Sequence, residues 1–265
     1  TIIGILVIGS ANEDYQFKQI IGLIIGIVAM VIVSLVDYDF ILNFYWIYYG
    51  LSIVLLLAVL IFGTTVGGAT RWIDVGIRFQ PSELCKILLI LFFARYLMIY
   101  EDEINKPKRL IITIALAAVP LILILREPDL STTIVTFLII FTMMFLVGLS
   151  SKLIAIFFGV TIPAIGLVIL LVLRKGQSIL SEYQGLRILA WLRPEDYPES
   201  SYQQQNSIMA IGSGQFFGKG LYTESVESVK NGNYISEPQT DFIFAVAGEE
   251  LGFIGTVIIE LLLLL

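Results

Sequence analysis

Long apolar stretches separated by short polar breaks dominate the chain. Thr1–Gly9 opens inside one such stretch. Phe17–Val36, Phe40–Phe62, Ser82–Tyr100, Leu110–Leu125, Leu130–Ser151 and Leu153–Leu173 follow, and an eighth begins near Asp241 and runs to the last residue. A membrane-spanning helix needs about 20 mostly apolar residues. These runs lack the alternation of a barrel strand, and lipid demands a backbone that satisfies itself, so helices are expected. The pattern predicts an all-α integral membrane protein, a polytopic helix bundle with seven to eight spans. It opens and closes inside apolar runs, which reads as a portion of a longer protein treated as one domain over 1–265.

Two connections stand out. Arg174–Thr240 holds six of the 16 basic residues and is too polar to span. At roughly 65 residues it is far longer than a usual connection. Its Tyr, Trp, Ile and Phe content predicts an ordered, partly folded cap rather than a disordered linker. Gly63–Pro81 mixes glycines with Trp72, Ile73, Val75 and Phe79. If each run crosses once, loops 10–16, 63–81, 126–129 and 174–240 share one face. Loops 37–39, 101–109 and 150–152 share the other. The positive-inside rule does not orient this arrangement, because both faces carry similar basic charge.

Composition narrows the chemistry. Hydrophobic residues make up 57% and charged residues 14%, too few charges to cover a water-soluble globule. There is no His and a single Cys, which excludes His-based triads, His-ligated zinc, internal disulfides and Cys-cluster metal sites. The net charge of −6 and the lack of a basic stripe argue against nucleic acid.

Ionisable residues at membrane depth are functional candidates by default. Glu83 and Lys86 stand three apart near a helix start and share one face. They serve either as first-turn charges behind Pro81 or as the lining of a polar cavity. Asp241 lies where the long loop enters the last apolar run. It or Thr240 could cap that helix. The functional alternative is a general base in a partly desolvated pocket, with a raised pKa suited to taking a proton from a hydroxyl. Glu249 follows eight residues later, about 12 Å along the same helix and roughly on the same face. Its neighbour Glu250 reads as a structural acid bonded to a helix or loop. The run 205–214 and Gly218-Lys219-Gly220 resemble a phosphate loop but do not make a Walker motif, and a solvated loop is the simpler reading. Arg187, Arg193 and Lys219 could supply charge for a diphosphate. Trp72 beside Arg71 reads as an interfacial aromatic with a snorkelling Arg, or as a platform for a sugar or lipid headgroup.

Four blocks carry a family resemblance: TRWIDVGIRFQPSELCK at 70–86, REPDLSTT at 126–133, QNSIMAIGSGQFFGKG at 205–220 and ISEPQTDFIFAVAGEELGFIG at 235–255. In these blocks, their order and their spacing, the chain resembles the SEDS (RodA/FtsW/SpoVE) family of peptidoglycan glycosyltransferases. The resemblance implies ten transmembrane helices in a complete member, so that about two and a half, mostly C-terminal, lie beyond this chain. It implies a multi-pass protein of the bacterial cytoplasmic membrane that polymerises lipid II at the outer face, with 174–240 extracellular between helices seven and eight. It makes Asp241, in the Thr240-Asp241-Phe242 motif, the catalytic candidate. Trp72, Glu83 and Lys86 fall on functionally sensitive family positions. Arg71, Arg187, Gln205, Ser207, Lys219, Thr240 and Glu249 complete the expected substrate-binding set. Partners implied are lipid II, a class B penicillin-binding protein and the lipid bilayer. Gln239 stands where many members have His, and Ser236 precedes Glu237 where many have Pro; neither touches Asp241.

The expected reaction is a single inverting displacement at C1 of the donor sugar, with Asp241 as general base. Arg71, Lys86, Arg187 or Lys219, or a bound divalent cation (Mg or Mn), would stabilise the leaving diphosphate. The alternatives are a lipid II flippase and a non-catalytic scaffold for a transpeptidase. Against the flippase, no inverted repeat is visible and the charged sites cluster at one face.

Overall fold

The computed structural model describes residues 1–66, 69–74, 78–173, 182–225, 228, 230–232 and 234–264. Residues 75–77 of the first block, the first eight residues of the long loop (174–181) and residue 265 lie outside them. The fold is mainly helical. In chain order it runs α1 (Ile2–Ala11), α2 (Glu13–Ser34), α3 (Tyr38–Leu42), α4 (Tyr45–Phe62), β1 (Thr64–Val66), β2 (Ala69–Asp74), β3 (Arg78–Phe79), α5 (Pro81–Ile99), α6 (Pro107–Arg126), α7 (Leu130–Leu146), α8 (Ser151–Leu173), α9 (Glu182–Leu192), α10 (Pro198–Ser213) and α11 (Ile243–Leu264). Among the described residues, α2, α4, α6 and α8 are long and apolar enough to cross a membrane. Helix α2 buries none of its residues although it is apolar on every side from Ile20 to Val33. Such a helix suits a lipid surround and not water. The chain is a polytopic helical membrane protein.

It separates into two compact units, Ser34–Ile162 and Thr1–Val33 with Pro163–Leu265. In the Ser34–Ile162 unit, α4 and α5 pack around Phe92, whose ring meets those of Tyr45, Trp46, Tyr49, Phe93 and Tyr96. Tyr49 also resolves a backbone problem. Pro120 inside α6 has no N–H to give the Leu116 carbonyl, and the Tyr49 hydroxyl donates to that carbonyl instead, at 3.1 Å.

The alternation of faces holds within this unit. Asn105, before α6, donates its side-chain amide to the Gly148 carbonyl at 2.9 Å and accepts from the Ser150 N–H at 2.7 Å. Loops 101–109 and 150–152 therefore meet. At the opposite connections, Gln80 and Arg71 both reach Asp129, so loops 63–81 and 126–129 meet as well.

Three sequence expectations change. The Phe40–Phe62 run is two helices, because Asn43 and Phe44 interrupt it. The Gly63–Pro81 connection is a small antiparallel sheet in the order β1-β2-β3, with Thr64 opposite Trp72 and Ile73 opposite Phe79. The glycine-containing run at 205–214 is mostly helix, not loop. Pro198 starts α10 at a position where its missing N–H costs nothing.

In the other unit, Ala210, Ile235 and Ala245 form one small core. Val7, Val246 and Ala247 form another. Together they tie α1 and α10 to α11.

Candidate functional site

In the Ser34–Ile162 unit the blocks at 70–86 and 126–133 meet at Asp129. Its Oδ1 accepts the Thr132 N–H at 3.1 Å, which caps α7, and its Oδ2 accepts the Thr132 hydroxyl at 2.9 Å. The same Oδ2 accepts the Gln80 side-chain amide at 3.0 Å and lies 3.6 Å from an Arg71 guanidinium nitrogen. One buried carboxylate thus starts a helix and anchors the strand that carries Arg71 and Trp72. Trp72 and Arg71 are both half-buried on β2. Asp129 and Gln80 were missed as site residues; the Asp-x-x-Thr spacing of a helix cap was the available signal.

Two residues before Asp129, Glu127 is wholly buried and, among the described residues, neither carboxylate oxygen has a hydrogen-bond partner. Burial, and then the charge of Asp129, push its pKa up to about 7. Glu103 illustrates the opposite case. Hydrogen bonds from Lys106 and Arg109 hold its carboxyl below the usual range. Glu83 and Lys86 pair as expected, at 2.9 Å, in the first turns of α5 behind Pro81 at the helix start.

In the other unit, Asp241 lies in the turn before α11 and is exposed. No hydrogen bond or ion pair reaches its carboxylate among the described residues. Neither Asp241 nor Thr240 caps the helix; the Thr240 hydroxyl donates to the Glu237 carbonyl at 3.3 Å. Asp241 is exposed even though its neighbours Phe242 and Ile243 pack against the two small cores, so the partly desolvated setting expected for it is not formed among the described residues. Arg187 on α9 is exposed, Gln205 on α10 donates to the Ser201 hydroxyl at 3.1 Å, and Ser207 is half-buried on α10.

Glu249 and Glu250 are both buried, and each has its own lysine. Lys219 Nζ donates to Glu249 Oε1 at 2.7 Å, and the Ser228 hydroxyl reaches Glu249 Oε2 at 3.3 Å. Lys230 Nζ lies 2.6 Å from Glu250 Oε1, which also accepts the Ser10 hydroxyl at 2.6 Å. Lys230 was not singled out in the sequence, since a lone Lys in a polar loop carries no local sign of a buried partner.

Around this pair α11 is broken. Gly252 adopts φ +66°, and the helix ladder is interrupted there. Segment 215–220 takes up the interrupted bonds. The Lys219 and Gly220 N–H groups donate to the Glu249 and Glu250 carbonyls at 2.9 and 3.0 Å. The Gln215 and Phe216 carbonyls accept from the Phe253 and Ile254 N–H groups at 2.8 and 3.2 Å. A side chain at Gly218 would meet the Glu250 carbonyl, and one at Gly252 would meet Phe216 and the Gly218 nitrogen. These glycines serve backbone-to-backbone approach, which is what the phosphate-loop resemblance reflects. Non-helical backbone at such a break is tolerated where protein supplies the missing partners.

Among the described residues, no group of three or more His, Cys, Asp or Glu side chains could hold a metal ion.

Comparison with known proteins places this arrangement. The chain is 39% identical over 216 residues to a "Probable peptidoglycan glycosyltransferase FtsW" of Escherichia coli, covering 78% of this chain and 48% of that protein. It is 33% identical over 271 residues to the protein of the same name in Acinetobacter baylyi, covering 97% of this chain and 65% of that one. The chain thus spans about half the length of the first of these relatives. Its fold superposes with a TM-score of 0.75 and 25% identity on a chain from a peptidoglycan synthase complex solved to explain the coordination of polymerization and crosslinking, covering 98% of this chain and 70% of that one. The rod shape determining protein RodA of Thermus thermophilus shares the fold, with a TM-score of 0.61 and 23% identity, covering 98% of this chain and 66% of that one. The model of the cell cycle proteins FtsW, RodA and SpoVE matches residues 4–265, and the chain belongs to that family.

Proposed function

We propose that the chain is part of a peptidoglycan glycosyltransferase that extends glycan strands from lipid II at the outer face of a bacterial cytoplasmic membrane. The 4-hydroxyl of an acceptor N-acetylglucosamine attacks C1 of the donor N-acetylmuramic acid. The C1–O bond to the undecaprenyl diphosphate breaks, and the new β-linkage forms with inversion. Asp241 accepts the hydroxyl proton, and the leaving diphosphate takes the bonding electron pair. Positive charge for the diphosphate comes from Arg187, which belongs to the same unit as Asp241.

The observation that carries this reading is the combination of a family match over nearly the whole of this chain with an Asp241 carboxylate left accessible at the loop–helix junction. Its oxygens are committed to no neighbour among the described residues, so they are available to a hydroxyl. A class B penicillin-binding protein is proposed as the partner that crosslinks the product. The synthase complex with the same fold supports this.

The test is polymerisation of purified lipid II by the full-length protein. Asp241→Asn keeps the side chain's shape and removes its basicity. It is expected to lower the rate by about 10²- to 10⁴-fold. Undiminished polymerisation by that variant would overturn the assignment.

A further inference from the structure

The turn that presents Asp241 contains a strained residue. Glu237 adopts φ +53°, in the left-handed region that a residue with a Cβ enters only at a cost. Such a conformation persists where the surroundings over-determine it. Three hydrogen bonds do so at Glu237. Its carbonyl accepts the Thr240 N–H at 3.2 Å and the Thr240 hydroxyl at 3.3 Å. Its carboxylate Oε2 accepts the Gln239 side-chain amide at 2.7 Å. The backbone and the side chain of one residue are therefore tied to the two residues that precede Asp241.

The approach to this turn is fixed as well, at three successive residues and from one helix. Asn206 on α10 donates its side-chain amide to the Tyr234 carbonyl at 2.9 Å. Gln203, one turn earlier on α10, donates to the Ser236 hydroxyl at 2.6 Å. Between these two bonds the Ile235 side chain is buried with Ala210 and Ala245. On the far side of Asp241, Phe242 packs against the same core. Asp241 thus stands between two anchors, with the strained turn between the first anchor and the acid. An exposed carboxylate that no neighbour holds among the described residues takes its place from its backbone.

We propose that Glu237 is a positioning residue of the glycosyl transfer, whose left-handed turn, clamped by Gln239 and Thr240, aims the Asp241 carboxylate at the acceptor hydroxyl. This rests on the reading of Asp241 as general base. Glu237 takes no proton and touches no reacting atom. It fixes geometry before the substrate arrives, where a misplacement of about 1 Å can cost on the order of 10²-fold in rate.

The test is lipid II polymerisation by the full-length protein, with kcat, KM and melting temperature measured together. Glycine adopts φ +53° without strain, yet it frees the turn to take other conformations and removes the carboxylate that Gln239 holds. Glu237→Gly is expected to lower kcat by about 10- to 100-fold with KM within about twofold of the parent, and not to lower the melting temperature. Glu237→Gln keeps the reach and an acceptor oxygen for Gln239, and is expected to restore kcat to within about threefold of the parent. Because Glu237 acts through Asp241, adding Glu237→Gly to Asp241→Asn should slow polymerisation no further.

Unchanged kcat in Glu237→Gly, an equal loss in Glu237→Gln, a melting temperature that falls with the rate, or full additivity with Asp241→Asn overturns the positioning role. Each of these leaves the base assignment standing while Asp241→Asn itself is slow. Undiminished polymerisation by Asp241→Asn overturns the base assignment and the positioning role with it, so the two failures read differently. Should Glu237→Gly not fold, Gln203→Ala, at an exposed position of α10, releases Ser236 instead. It is expected to lower kcat about threefold at unchanged melting temperature, and unchanged kcat overturns the inference.

Discussion

Glu250 and Glu127 are both buried acids, one in each unit, and they are accommodated in opposite ways. Glu250 keeps a lysine and a serine on one oxygen. Among the described residues, Glu127 has neither a cation nor a donor on either oxygen. Burial removes water from both, and so disfavours their charged forms. Only in Glu250 does a neighbour restore what water supplied. The pair at Glu83 and Lys86 is a third case, because Glu83 is 56% exposed and water still competes for it. The difference teaches that an acid in this protein is informative through its partners more than through its depth.

Removing the partner from the buried pair should give the largest effect. Lys230→Met leaves the Glu250 charge enclosed and unmatched, and is expected to cost about 3–5 kcal/mol. Thermal unfolding in detergent measures it. Adding Glu250→Gln to Lys230→Met should recover most of the loss; no recovery would mean that Lys230 acts by packing and not by charge.

Glu127 should behave in the reverse sense. Its folded pKa of about 7 lies above its ordinary value of 4.5, so the folded state holds the proton more tightly. The stability this contributes is therefore full below about pH 4.5 and fades as pH rises through about 7. Glu127→Gln removes that dependence. Above pH 7 it should be the more stable form by as much as about 3 kcal/mol, and near pH 4 it should match the parent. Parallel pH profiles of melting temperature for the two proteins would contradict an ionising Glu127.

The exposed pair should give the smallest effect. Glu83→Gln is expected to change stability by less than about 1 kcal/mol. A larger loss of lipid II polymerisation with unchanged melting temperature would assign Glu83 to substrate and not to the helix. A large drop in melting temperature would break the ranking of the three acids.

The helices were legible because lipid imposes both length and apolarity, and few sequences satisfy both by accident. Face alternation followed from the helix count and is visible in the contacts of Asn105 and of Asp129. The sheet at 64–79 was not legible, because its strands are short and interrupted by glycines. Helix α10 was obscured by its Ser, Asn and Gly content, residues whose own hydrogen bonding or backbone freedom usually favours turns. The break at Gly252 was not legible, because a lone glycine after Glu249 and Glu250 in a mainly apolar run is equally compatible with an unbroken helix. Of the candidate site, Asp241 was legible as a lone charge at a boundary. The partners of Glu249 and Glu250 were not, because Lys219 and Lys230 come from distant positions that only the folded loop assigns.

The exchange of backbone bonds between 215–220 and the broken α11 makes these two stretches a single inherited part. Neither can be transplanted alone. A chimera that imports a relative's last helix while keeping the resident 215–220 mates donors and acceptors that evolved apart, and the stretch that presents Asp241 inherits the error. Swaps between division and elongation homologues should therefore cut before Gly214 and after Ile254, moving acid, lysines and glycines as one cassette.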